Sequence, residues 1–260
     1  MEKISLETVG PENLSECGIG CLTNPKHQGV QLKVEWLKQR FAEGLRFFLF
    51  RDEVGRPLGF LEYVPGEYAW RPVDASNWLF VHCLWVYPRG QKLGGLGSRL
   101  IQACVKEARL KRSIGVAAIV SEGPWMAGKE IFLKNDFRLI GSADRFDLVI
   151  HRLKNGPGPR FRYVSDTIAK CRGLHLVYCD QCPMLSKSAD DISVVAAEHG
   201  LPLKVTVLKS AYEAQNAPSY YGVFSLLWNG RLLSDHYVSK SRFENLLKRN
   251  ILNEKMGRGV

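Results

Sequence analysis

Apolar and polar positions alternate over the first 153 residues in a way that predicts short strands interleaved with amphipathic helices. Gln31 to Phe41 carries Leu32, Trp36, Leu37 and Phe41 at helical spacing. Arg46 to Arg51 and Pro57 to Tyr63 read as strands around a polar turn at 52–56. Leu79 to Val86 is almost wholly apolar, the pattern of a central strand covered on both faces. Leu96 to Lys111 gathers Leu96, Leu100, Ile101, Cys104, Val105 and Ala108 on one stripe. Gly115 to Val120 is a further short buried strand, Lys129 to Asn135 a short helix and Phe146 to Leu153 a closing strand.

Lys154-Asn155-Gly156-Pro157-Gly158-Pro159-Arg160 then breaks regular structure. The expected organisation is a first domain over 1–155, a linker over 156–172 and a smaller domain over 173–260, with 161–169 assignable to either side. The second unit opens with a strand, Leu174 to Tyr178, followed by Cys179-Asp180-Gln181-Cys182-Pro183 and a helix to about His199. Leu203 to Leu208 and Gly222 to Trp228 read as strands, Asn229-Gly230 as a hairpin turn into Arg231 to Tyr237, and Lys240 to Lys248 as a last helix.

Composition narrows the class. With 45% hydrophobic and 24% charged residues the chain can build ordinary soluble cores. No run has the apolar length of a membrane span, and the Met1-Glu2-Lys3 start lacks the apolar core of a signal peptide, so a cytoplasmic protein without a membrane partner is expected. The net charge of +10 suits nucleic acid, anionic lipid or a polyanionic cofactor. Basic residues are scattered, and the one dense cluster (Lys248, Arg249, Lys255, Arg258) ends the chain, so nucleic acid is not the expected partner. Seven unevenly spaced cysteines argue against a disulfide framework.

Candidate chemistry concentrates in Trp85 to Ile101, WVYPRGQKLGGLGSRLI, where a strand runs into a basic, glycine-rich turn that opens a helix. Gly94, Gly95 and Gly97 permit a tight turn with N–H groups directed outward, the helix N-terminus adds partial positive charge, and Arg89, Lys92 and Arg99 add full charges. A phosphate-bearing ligand is expected. A Walker loop needs Gly-Lys-Ser/Thr, and Gly97-Ser98-Arg99 lacks the lysine; a dinucleotide fingerprint needs the turn to follow the fold's first strand, and here other predicted strands precede it.

Val86-Tyr87-Pro88 followed by Lys92-Leu93-Gly94-Gly95-Leu96-Gly97, with Phe132 to Phe137 after it, resembles the acyl-CoA loop and cofactor-side helix of the GNAT N-acetyltransferase superfamily. Gly59 to Arg71, His82 to Val86 and the YCDQCP stretch are similar to bacterial YoaP-type proteins, which pair an acetyltransferase-like with a thioredoxin-like domain. The resemblance implies an α/β (α+β) fold, a GNAT-like mixed central sheet with flanking helices, followed by the smaller thioredoxin-like domain. It implies acetyl-CoA as donor, held by Leu84, Trp85, Val86, Gln91, Lys92, Leu93, Gly94, Gly95, Leu96, Gly97, Ser98 and Asn135, with either Gln91 or Lys92 at the polar position of the loop. Backbone N–H groups of Leu84 and Val86 are candidates for the thioester oxygen.

The superfamily's usual strand glutamate is missing, which leaves His82, beside the Cys83 thiol, or Glu62 as candidate base; a buried core histidine and a solvated surface carboxylate are the plainer readings. Phe132 stands where a tyrosine acid is frequent, so Tyr63, Tyr68 or water would protonate the thiolate, and Asp136 replaces a usual glycine. Cys104 and Cys83 read first as core thiols, and Cys83 is also carried as a catalytic candidate.

Cys179 follows a strand and precedes a helix, whose N-terminus would lower its pKa, with Cys182 as resolving thiol; Pro218 resembles the cis-proline facing such thiols. A single CxxC offers zinc two ligands, so no metal is expected. The function these features predict is an acetyl-CoA-dependent N-acetyltransferase acting on a small amine or amino-thiol, as monomer or homodimer, with the second domain presenting substrate or exerting redox control. A non-catalytic CoA-binding sensor and a thiol-disulfide oxidoreductase on an acyltransferase platform are the alternatives.

Overall fold

The computed structural model describes residues 4–22, 24 and 26–252; Lys255 and Arg258 of the terminal basic cluster lie outside the described residues. The first 152 residues carry β1 (Ser5–Val9), α1 (Leu14–Cys17), α2 (Gln28–Phe41), β2 (Arg46–Arg51), β3 (Pro57–Pro65), β4 (Val73–Asp74), β5 (Leu79–Val86), α3 (Pro88–Lys92), α4 (Leu96–Leu110), β6 (Gly115–Val120), α5 (Lys129–Leu133), β7 (Arg138–Ala143) and β8 (Phe146–Arg152). Then follow β9 (Arg160–Phe161), α6 (Ser165–Ala169), β10 (Leu174–Tyr178), α7 (Leu185–Glu198), β11 (Leu203–Val207), α8 (Ala211–Gln215), β12 (Phe224–Trp228), β13 (Arg231–Ser234) and α9 (Lys240–Leu247).

The chain is a mixed α/β protein. Seven strands form one sheet in the order β1-β2-β3-β5-β6-β8-β7, and four form a second in the order β11-β10-β12-β13. In the large sheet only β5 and β6 run parallel, and they pair over just Leu79 to Val81 against Val116 to Ala118. In the small sheet β10 is parallel to β11 and antiparallel to β12.

Strand alternation sends Leu61 and Tyr63 to the face packed by α4, and Phe60, Glu62 and Val64 to the other; Leu58, the extra residue where Arg51 faces Pro57 and Phe50 faces Gly59, joins the α4-side core through that bulge. On the α4 face the expected stripe of Leu96, Leu100, Ile101, Cys104, Val105 and Ala108 is buried. The opposite face meets α2 and the second sheet, and its apolar residues form one continuous core running from Val9 to Ile251.

On α2 the apolar pattern misled. Leu32 is 39% exposed, and the buried stripe instead carries two cations, Lys33 and Arg40, beside Trp36, Leu37 and Phe41. Positions 33 and 40 lie three or four residues from Trp36 and Leu37, which puts them on the same face.

Residues 156–172, expected as a linker, are laid onto the first unit. The Trp78 indole donates to Pro157 O at 2.9 Å, β9 pairs with β4, and Arg162 N–H reaches Pro72 O at 2.9 Å. Across the units Arg145 grips Asp235 with two bonds of 2.8 and 2.9 Å, Gln215 donates to Glu67 O and Ala69 O, and Arg40 donates to Lys209 O. No helix among the described residues is long and apolar enough to cross a membrane.

Candidate active site

The site begins where two strands part. Past Val81, β5 stays paired with β3 as far as Val86 opposite Gly59, while β6 turns to β8 alone. His82 is the extra residue of a bulge: Glu62 faces Cys83 and Tyr63 faces Val81. The expectation of a strand buried on both faces therefore holds only to His82, and Cys83, expected in the core, is exposed. Tyr87 N–H donates to Leu58 O on β3. N–H groups alternate sides along a strand, so those of Leu84 and Val86 face the parting and those of Cys83 and Trp85 face β3.

The parting opens a cleft of about 620 Å³. Leu84, Trp85 and Val86 form one wall; Met126 to Gly128 with Glu130, Ile131 and Lys134 form the other; Gly90, Gln91 and Gly95 to Ser98 close the end. Gly94 and Gly95 have φ of 68° and 67°, and a Cβ on either would meet nothing within 4 Å, so backbone conformation and not space calls for glycine here. Gly95 is the N-cap of α4 and no side chain caps that first turn, which leaves helix-start N–H groups at the cleft's end.

Several expected ligand residues lie elsewhere. Pro88 to Lys92 is a short helix, and Gln91 lines the cleft while Lys92, Leu93 and Gly94 do not. Arg89 lies 3.5 Å from Asp52, and the Arg99 guanidinium sits 4.6 Å over the Phe50 ring, so neither supplies the cleft's charge. Asn135 is buried, donating to Ser98 Oγ at 2.9 Å and Ile131 O at 2.8 Å; it ties α5 to α4 without lining the cleft. The cation at the cleft is Lys134, which the sequence reading passed over although it sits inside the quoted Phe132 to Phe137 segment.

Beneath the bulge lies a buried polar network. Glu62 pairs with Lys33 through Oε2; its Oε1 accepts from Gln181 Nε2 at 2.8 Å and lies 3.3 Å from His82 Nδ1. His82 Nε2 accepts the Trp70 N–H at 2.9 Å. Arg71 donates to Gln181 Oε1 at 2.8 Å, to Trp70 O at 2.7 Å and to His82 O at 3.2 Å. All five side chains are buried. Burial alone would raise the Glu62 carboxyl, but the Lys33 charge and the His82 and Lys33 contacts hold it well below the usual carboxylate range. Burial pushes His82 down to about 4, against the pull of Glu62.

Three expectations change with this geometry. His82 is a poor base, because its accepting nitrogen is already engaged and its proton affinity is depressed. Glu62, taken in its plainer reading as solvated, is 2% exposed and fully engaged. Tyr63 points at the α4 face, stacked on Phe48 with centroids 5.2 Å apart, and cannot serve as an acid in the cleft, while Tyr68 is 43% exposed on a 3₁₀ turn.

The thiols also depart from expectation. Helix α7 starts at Leu185, whose N–H closes a turn onto Cys182 O, so Cys179 has no helix N-terminus beside it. Cys179 is wholly buried and pushed up to about 12 by that burial; Cys182, half-buried, is also raised by burial. Cys83 is exposed, yet its thiol is pushed up to about 12, first by desolvation and then by Glu62 and Cys182. The Ala217–Pro218 peptide is trans, since no described peptide bond is cis. Sequence reasoning missed Lys33 and Gln181.

Residues 19–122 match the Acetyltransferase (GNAT) family, and residues 202–245 match a family described as YoaP-like. The class these findings define is the GNAT-type N-acetyltransferase, an enzyme. Over 244 residues the chain is 29% identical to "Uncharacterized N-acetyltransferase YoaP" of Bacillus subtilis, covering 91% of this chain and 95% of that protein. Among solved structures, a GNAT-family acetyltransferase from Desulfovibrio desulfuricans is 17% identical with a TM-score of 0.41, covering 58% of this chain and 99% of its own. Spermidine N-acetyltransferase from Vibrio cholerae, solved with CoA and spermine, is 14% identical with a TM-score of 0.39, covering 56% and 92%.

Proposed function

We propose that the chain transfers an acetyl group from acetyl-CoA directly to the amine of a small acceptor, an amine or amino-thiol. The observation that carries this reading is the cleft where β5 leaves β6, with the left-handed Gly94-Gly95 turn and the uncapped start of α4 at its end. Acetyl-CoA supplies an activated thioester and a pyrophosphate by which it is held. The N–H groups from Gly95 to Ser98, with Lys134, suit the pyrophosphate. The Leu84 and Val86 N–H groups suit the thioester oxygen as it gains charge, an effect worth about 3–4 kcal/mol where one such donor is removed. Solvent in the open cleft takes the acceptor's proton and protonates the departing thiolate, while Glu62, held ionised beside His82, fixes the bulge from which β5 aims its N–H groups.

Residues 1–155 are the acetyltransferase domain in this reading, 156–172 the connection and 173–260 a thioredoxin-like domain. The strand order β11-β10-β12-β13 and the succession strand, CxxC, helix, strand, helix, hairpin, helix support the last assignment. Calorimetry with acetyl-CoA tests the reading. Gly95→Val, strained at φ 67°, is expected to weaken binding at least about tenfold, a loss of roughly 1.4 kcal/mol. CoA release is then followed across amines and amino-thiols. Equal affinity in both proteins, or none in either, overturns the assignment.

A second reading, a CoA-binding sensor without turnover, is favoured by the engagement of Glu62 and His82. Tight binding with no CoA release across the whole acceptor set would decide for it. A thiol-disulfide oxidoreductase that turns over external substrates through Cys179 has less support, because that thiol is inaccessible and both CxxC thiols are raised.

A further inference from the structure

The second unit reaches into the acetyltransferase unit with one side chain. Gln181 stands between the two cysteines of the CxxC stretch, is 6% exposed, and bonds outside its own unit with both ends of its amide. Its Nε2 holds Glu62 Oε1, and its Oε1 takes Arg71 Nη1. Each contact leads to His82: Glu62 faces its ring, and Arg71 Nη2 binds its carbonyl. His82 is the bulge residue that sets the course of β5 where it leaves β6, and therefore the aim of the Leu84 and Val86 N–H groups two and four residues on.

Gln181 is also tied to the thiols. The backbone N–H groups of Gln181 and Met184 lie near the Cys179 and Cys182 sulfurs and favour their thiolates, against the burial that raises both thiols. Arg71 has no carboxylate within this network; three neutral oxygens, of Gln181, Trp70 and His82, satisfy it. A change in the loop's conformation thus leaves a buried cation short of one acceptor and a buried carboxylate short of one donor.

We propose that Gln181 is a positioning residue for acyl transfer, through which the thiol state of Cys179 and Cys182 reaches the bulge at His82. The inference rests on the transfer reading above. The co-reactant is a low-molecular-weight disulfide such as oxidised glutathione. The half-buried Cys182 thiolate attacks one glutathione sulfur, forming a mixed disulfide and releasing one glutathione thiolate. Cys179 then attacks the Cys182 sulfur and the second glutathione leaves. The two cysteines lose two protons and two electrons, and the glutathione disulfide takes them up. Closure confines Gln181 within a ring of four residues and turns the free Cys179 thiol near its N–H into a disulfide sulfur.

The test uses the full chain with ¹⁵N-labelled histidine rings, the His82 signal being identified by its loss in His82→Gln. Spectra are compared under dithiothreitol and after oxidised glutathione, with mass spectrometry reporting the Cys179–Cys182 bond. The expected result is a His82 signal that shifts on closure in the wild-type chain and does not shift on closure in Gln181→Ala. A signal that stays put on closure, one that moves equally in Gln181→Ala, or a thiol pair that oxidised glutathione does not close overturns the proposal. Acetyl-CoA calorimetry on the same samples keeps the two readings apart. Retained affinity with an unmoved His82 signal sinks only the coupling, whereas a shifting signal with no affinity in either thiol state supports the coupling and sinks the transfer reading.

Discussion

Glu62 is the residue on which the buried network depends, since Lys33, Gln181 and His82 all converge on its two oxygens. Removing one member of a buried ion pair typically costs about 3–5 kcal/mol, because the other charge is left uncompensated. Glu62→Gln is therefore expected to lose a large share of a typical stability of roughly 5–15 kcal/mol. Lys33→Met added to Glu62→Gln should recover part of that loss, and urea unfolding of both single variants and the double variant measures it. A double variant as unstable as the sum of the singles would show that the pair is not coupled. Acid sensitivity follows from the same groups. Between pH 6.5 and about 4 the unfolded chain binds a proton at His82 that the folded chain refuses, so stability falls as pH falls through that window, by up to roughly 3 kcal/mol. Glu62, depressed in the fold, stabilises above the ordinary carboxylate range, and its contribution is lost as pH falls further. In His82→Gln the dependence above pH 4 should flatten while the lower part remains. The types of these residues were legible in the sequence, since Glu62 and His82 both stood out as ionisable groups near the central strand. Their partners were not, because Gln181 lies 119 positions from Glu62. The misplacement of Tyr63 was avoidable: adjacent strand residues face opposite ways, so Glu62 and Tyr63 cannot serve one cleft.

Among the elements, β5 shows the limit of apolar patterning most clearly. Its bounds, Leu79 to Val86, match the reading from sequence, as do those of β6 and β10. Its function depends on losing a neighbour halfway along, and LFVHCLWV carries no mark of that loss; only the polar His82 coincides with the bulge. Helix α7 is a similar case. CxxC followed by a helical pattern suggested a helix starting at the thiols, but the 182–185 turn delays it, and the thiols lose the dipole that would lower them. The start of α2 seals the same loop from the other side. A Cβ on Gly29 would lie 1.7 Å from the Pro183 carbonyl oxygen, a rigid backbone atom. Gly29→Ala is expected to push α2 and the CxxC loop apart, lowering the melting temperature by several degrees and raising the reaction rate of Cys182 with a thiol reagent. Unchanged Cys182 reactivity would mean that the contact does not hold the loop.

At the scale of the whole molecule, composition located a boundary near 154–160 but misjudged what it divides. About 155 residues suffice for an independent domain, and the proline-glycine run looked like a free tether. The first unit, however, leaves one face of its sheet to be covered by the second: Trp70, 0% exposed, packs edge-on to Trp36, and its segment is held by Gln215 across the interface. Arg145 and Asp235 clamp the far side, and the core continues through both sheets. Fully burying a side chain of this kind contributes roughly 1.5–3 kcal/mol, so exposing several at once exceeds the stability a unit of this size typically has. The chain is thus expected to unfold as one cooperative body, with calorimetric and van't Hoff enthalpies equal and with tryptophan fluorescence, dominated by the first unit's Trp36, Trp70, Trp78, Trp85 and Trp125, coinciding with far-ultraviolet dichroism. A fragment of residues 1–159 should bind a hydrophobic dye and lack a sharp thermal transition. Two separated transitions in the full chain, or a fragment that melts cooperatively at the full chain's temperature, would show instead that the units are independent and that the buried network only bridges them.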